Sequence, residues 1–138
     1  MKPSCLVAAF VLAGTSAAFA APAAYLTVDQ STASVMDAAT AKAAWTGQLS
    51  AKLMKLYPTN KWGFASEVEG GFDEAKVCVI TARAMMLPRT GKVLQFKPAK
   101  IATAFGSKAG ATEAQCQALG KAKLDEAVAA LSTSLLAR

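Results

Sequence analysis

The chain has 138 residues, 54% of them hydrophobic and 17% charged, with a formal net charge of +6 and no histidine. The missing imidazole excludes Ser-His-Asp and Cys-His catalysis and most zinc chemistry. Past the N-terminal segment no run approaches the roughly 18 consecutive apolar residues of a membrane-spanning helix, so the alanine-rich composition predicts one small domain that does not span a membrane.

Residues 1–20 have the pattern of a signal peptide: a positive start at Lys2, a short apolar stretch over Cys5–Ala13, and an A-x-A site at Ala18-Phe19-Ala20. Val11-Leu12-Ala13-Gly14 is like the run before a lipoprotein cysteine, but Thr15 stands where that cysteine belongs. The expectation is therefore an exported, unanchored protein in the periplasm or outside the cell. The rival, an uncleaved signal serving as anchor, fits the short apolar run and the good cleavage site less well. Cleavage removes Cys5 and leaves Cys78 and Cys116. Two cysteines in an oxidising compartment predict a disulfide. Their wide separation is unlike a C-x-x-C redox pair.

Residues 21–33 are small and polar and predict a flexible lead-in. Residues 34–138 form the expected domain. A helix is predicted from a Ser34 N-cap with Asp37 three residues on, carrying Trp45, Leu49, Leu53 and Leu56 on one stripe and stopping at Pro58. Trp62–Val68 alternates as a half-buried strand with Trp62, Phe64 and Val68 on one side, and Gly70-Gly71-Phe72-Asp73 reads as a turn. Lys76–Leu87 is the strongest strand. Cys78, Ile80, Ala82, Ala84 and Met86 share the face assigned to the core; the opposite face is also apolar, which implies a cover. After the turn Pro88–Lys92, residues 93–105 predict a third strand interrupted at Pro98. Leu94 and Phe96 are expected to face inward, and Ile101 and Phe105 have the opposite parity. A proline with a parity switch signals a bulge and an edge position. Gly106–Ala111 reads as a loop. A last helix starts in a Thr112–Gln115 capping box and buries Cys116, Gly120, Leu124, Ala127, Leu131 and Leu135. The order helix, three-stranded meander, helix predicts an α+β fold of two layers.

No cluster with catalytic spacing emerges. Glu67, Glu69, Asp73 and Glu74 have the setting of solvated surface, two lone cysteines make no metal site, and no cofactor pattern is present. Gly91-Lys92-Val93 fails the phosphate-loop pattern. A binding module is the better class. No acid occurs between Ala75 and Thr112, a stretch that holds Arg83, Arg89, Lys92, Lys97 and Lys100. This basic face predicts either a solvated surface or a site for an anionic envelope component, such as lipopolysaccharide or a lipid headgroup. Without aromatic–basic interleaving, nucleic acid is not expected.

Three segments carry a family resemblance: Trp45-Thr46-Gly47-Gln48-Leu49 with Leu56-Tyr57; Cys78-Val79-Ile80 with Arg83 and then Gly91-Lys92-Val93-Leu94-Gln95-Phe96-Lys97-Pro98; and Ala114-Gln115-Cys116-Gln117-Ala118-Leu119 with Ala122-Lys123-Leu124. Together they resemble the C-terminal domain of TolA, a periplasmic envelope protein related in fold to the TonB C-terminal domain. The resemblance spans about residues 42–125. It implies a three-stranded antiparallel sheet with packed helices and one disulfide, and recognition of envelope proteins by adding a strand to the sheet edge, here Lys92, Val93, Leu94, Gln95, Phe96 and Lys97. The chain is expected to depart from that family in lacking a membrane anchor and a long helical spacer, which puts force transmission in doubt.

Overall fold

A computed structural model describes residues 24–137; the expected signal peptide, with Cys5, lies outside them. Among the described residues the fold is α+β, with a five-stranded mixed sheet, three helices and one disulfide. No helix among the described residues is long and apolar enough to cross a membrane.

The first strand, β1, is Leu26–Asp29, inside the segment expected to be a loose lead-in. It pairs in parallel with β2, Trp62–Phe72, with Leu26 opposite Gly63 and Asp29 opposite Ser66. The segment is ordered by contacts that its small, polar composition hides. Tyr25 is buried against Phe64 and donates its hydroxyl to the Tyr57 carbonyl at 2.5 Å, and the Asp29 carboxylate accepts from the Ser66 hydroxyl at 3.1 Å.

The single helix expected from Ser34 to Leu56 is two helices, α1 Ala38–Ala44 and α2 Ala51–Leu56. Asp37 is itself the N-cap of α1 rather than the partner of a Ser34 cap: its carboxylate accepts from the Thr40 amide at 2.8 Å. The hydroxyl and amide of Thr40 hold that carboxyl below its usual range. The break comes at Gly47, whose φ of 83° is a left-handed conformation that glycine adopts freely, and Ser50 caps α2. The kink lets Trp45 and Leu53 both reach the buried face of the sheet, where Trp45 packs on Phe64.

Strand β3 is Val77–Thr90, antiparallel to β2 from Trp62 opposite Pro88 through to Phe72 opposite Cys78. The expected turn at Gly70–Asp73 therefore lies three residues too early. Asp73 to Lys76 make the turn, with the Asp73 carboxylate accepting from the Val77 amide at 2.8 Å. Gly70 serves close approach instead: at its φ of 137° a Cβ would overlap the Val79 carbonyl oxygen across the ladder. The face assignment of β3 holds, with Cys78, Ile80, Ala82, Ala84 and Met86 all buried.

The final helix, α3, is Glu113–Leu136, and its Thr112–Gln115 capping box forms as expected. Cys116, Gly120, Leu124, Ala127, Leu131 and Leu135 are all buried in the main core. Gly120 allows close approach, since a Cβ there would stand 3.1 Å from the Val35 carbonyl oxygen. Cys116 in the first turn of α3 is bonded to Cys78 of β3, Cα to Cα 5.7 Å, across 38 residues. Closing such a loop contributes about 4 kcal/mol in the chain-entropy account.

Candidate interaction surface

The third antiparallel strand is broken. Its first piece, β4, is only Val93–Leu94, joined to β3 by the two-residue turn Gly91-Lys92 with a positive φ at Gly91, the residue such hairpins need at the first central position. The second piece, β5, is Lys100–Ala109. Leu94 lies opposite Arg89, and Lys100 lies opposite Met86. Six residues of one strand thus face three of the other, and the three extra residues loop out around Pro98. An odd insertion moves side chains to the other face of the sheet, so the expected parity switch is real.

This geometry separates residues that look alike in the sequence. Leu94 is buried, but on the face away from the helices, in a small second cluster with Ala65, Met85 and Leu87. Phe96, expected to face inward beside it, is exposed in the looped-out segment. Of the predicted edge strand Lys92 to Lys97, only Val93 and Leu94 are in a ladder; the turn precedes them and the bulge follows. The cover implied for the second face of β3 is, at the Met85–Leu87 end, the chain's own Leu94 together with Leu26 and Val28.

The rest of that outer face is open. Ile101 is 54% exposed, Phe105 70% and Val79 43%. On its inner face β5 is roofed by α3: a Cβ on Gly106 would stand 2.8 Å from Lys123 Cε and 3.1 Å from Leu119 Cδ1. Among the described residues β5 pairs only with β3, so its other backbone edge is free along the strand. Lys100 and Lys108 stand near its ends, and Ile101 to Ser107 between them carry no charge. Strand β5 continues through Gly106–Ala109, within the segment that reads as loop in the sequence; the length of β3, which needs a partner along Val77–Ile80, is the available signal.

The five basic residues sit in different local settings. Arg83 is held on the outer face by Glu67 at 2.8 Å and Glu69 at 3.5 Å, and the hydrogen bond it donates to Glu67, then the charge of Glu67, strengthens its hold on the proton. Arg89 is turned onto backbone, donating to the Gly91 carbonyl at 2.6 Å and the Thr59 carbonyl at 2.8 Å. Lys92 sits in the hairpin turn, Lys97 in the bulge and Lys100 at the start of β5.

Elsewhere, a groove of about 330 Å³ runs between Val35, Met36, Asp37 and the Gln117–Lys121 face of α3. A smaller recess of about 170 Å³ is lined by Asp29, Lys42, Trp45 and Ser66, and the buried Trp45 indole N–H has no acceptor among the described residues. No group of three or more His, Cys, Asp or Glu able to hold a metal occurs among the described residues. Glu67 and Glu69 are both engaged by Arg83 rather than facing each other across a cleft. No protein-family model, curated protein or solved structure matches the chain.

Proposed function

We propose that the protein is an exported binding module that takes an extended segment of an envelope protein onto the free edge of β5. The observation that carries this reading is the uncharged stretch Ile101 to Ser107 on an unpaired edge, with Phe105 70% and Ile101 54% exposed beside it. An open edge supplies a row of backbone donors and acceptors for an incoming strand, and apolar side chains on one face give that strand something to cover. The Cys78–Cys116 bond suits an oxidising compartment, and the signal-like residues 1–20 point the same way. The likeness to the TolA C-terminal domain supports the same mode of recognition, transferred from Lys92–Lys97 to β5, where the backbone is extended. The basic residues are the weaker basis for an anion site, because Arg83 and Arg89 are already engaged.

The test is capture of envelope proteins by the oxidised domain, in low and high salt, followed by hydrogen exchange on the purified complex. The reading expects capture to survive salt, the β5 amides to gain protection, and Ile101→Lys/Phe105→Lys to abolish it while leaving the circular dichroism unchanged. Capture that this double variant retains would refute it. Capture of lipid or polysaccharide alone, lost in high salt, would move the function to the basic residues.

A further inference from the structure

We propose that the free edge of β5 pairs with the same edge of a second copy, antiparallel about a two-fold axis at Thr103, to make one sheet continuous across a homodimer. The register follows from the residues. Side chains on the same face of two antiparallel strands oppose each other, and a two-fold axis perpendicular to the sheet keeps both sets of helices on one side. The odd-numbered residues of β5 lie on the outer face, because Ile101 is opposite Met85 and Thr103 opposite Arg83, and they must therefore meet odd-numbered residues of the copy.

Four registers keep seven or more residues of the strand in contact, and of these an axis at Gly106 sets Phe105 against Ser107 and leaves Ile101 without a partner. With Thr103 opposite itself, Ile101 meets Phe105 of the second copy, and Phe105 meets its Ile101. The inner face then puts Ala102 against Ala104 and Lys100 against Gly106, which has no side chain. All four large exposed apolar side chains gain an aromatic–aliphatic partner and Thr103 gains a threonine, and the one cationic approach, Lys100 toward Lys123 over Gly106, is met by the Lys123–Glu126 ion pair. Moving the axis one residue, to Ala104, sets Lys100 opposite Lys108 twice, a repulsive pairing, and leaves Ile101 against Ser107. Moving it to Phe105 pairs the two phenylalanines but leaves each Ile101 against Ala109. Charge and apolar complementarity together select the Thr103 axis.

The surroundings permit this approach. Leu119 and Lys123 of α3 stand directly above Gly106, over the strand, and the outer face of β5 is bare. Pairing of two such edges buries less than the roughly 1,600 Å² of a standard interface, so the dimer exchanges with monomer. A second copy and an extended partner segment use the same edge and exclude each other. The dimer rests on the same free edge as the adaptor reading but needs no partner protein, so either can fail alone.

The experiment uses the oxidised domain with its Cys78–Cys116 bond intact. Sedimentation should show a mass rising from monomer to dimer between micromolar and millimolar concentration, and Phe105→Lys should hold it at monomer. Thr103→Cys places two thiols opposite each other, with Cβ atoms about 4.5–5.5 Å apart, and should cross-link to a disulfide dimer under mild oxidation. Ser107→Cys, opposite residue 99 in this register, should not. A monomer at every concentration with no Thr103→Cys cross-link overturns the proposal. So does a cross-link through Phe105→Cys in preference to Thr103→Cys, which would place the axis elsewhere. A stable dimer that captures no envelope protein would leave the pairing standing and the adaptor reading refuted; a strict monomer with β5-dependent capture would do the reverse.

Discussion

Replacing Leu94 by alanine tests the broken-strand geometry directly. Leu94 is 7% exposed and packs on Ala65, Met85 and Leu87, with Leu26 and Val28 at the margin. Leu→Ala in a well-packed core costs about 2–5 kcal/mol, and the low end applies where the neighbours can relax. This cluster is small and lies at the sheet surface, so the expected loss is about 2–3 kcal/mol. With a urea slope in the ordinary range of about 1–3 kcal/mol per molar, the unfolding midpoint falls by about 1–2 M. Phe96→Ala, only two residues on but in the looped-out segment at 56% exposure, should stay within about 0.5 kcal/mol of the parent. Hydrogen exchange adds a local readout: Leu94→Ala should release the Gln95 amide, which donates to the Pro88 carbonyl at 2.9 Å, while the β5 amides bonded to β3 keep their protection. Because a Cβ on Gly63 would overlap a methyl of Leu94, Gly63→Ala should cost less in the Leu94→Ala background than alone. Equal losses from Leu94→Ala and Phe96→Ala, with no coupling to Gly63, would refute the assignment of Leu94 to a second core.

Two further outcomes are expected. Gly70→Ala meets both a strained φ of 137° and the Val79 carbonyl, and should cost about 3 kcal/mol or more, whereas Gly71→Ala, at φ 145° with open space around it, bears the conformational strain alone, about 1–2 kcal/mol; equal costs in urea melts would show that the cross-strand contact is not what requires glycine. Burial pushes the Tyr25 hydroxyl up from 10.0 to about 12. A phenol that ionises less readily when folded stabilises the protein fully below about pH 10 and loses that contribution as pH rises from 10 to 12, since the unfolded chain gives up its proton first. Stability against urea should fall across that window, and Tyr25→Phe should flatten that part of the profile.

What was legible in the sequence is what local chemistry decides. The α3 capping box needs only Thr112 and Gln115 at the right spacing, and its buried stripe needs only helical periodicity. The inner face of β3 follows from strict alternation across Cys78–Met86, and a cysteine on each of those two surfaces made the Cys78–Cys116 bond the natural staple. The parity switch near Pro98 was also readable, because an odd insertion reverses the pattern wherever it occurs. On the candidate surface, the sequence marked the broken strand as an edge but could not say which part of it stays extended.

Tertiary structure decided the rest, because the deciding atoms come from elsewhere in the chain. Composition gives Tyr25–Asp29 the look of a tail; a parallel ladder to β2 and a hydrogen bond to the Tyr57 carbonyl make it a strand. Helical spacing alone joins α1 and α2, and only the need to bring Trp45 and Leu53 onto one sheet face turns Gly47 into a break. The pair Gly70-Gly71 has turn chemistry, but the Val79 carbonyl across the ladder makes it strand. Leu94 and Phe96 have the same parity and similar hydrophobicity. Which of them is buried depends on where three looped-out residues fall against β3, a register set by long-range pairing and invisible to any local pattern.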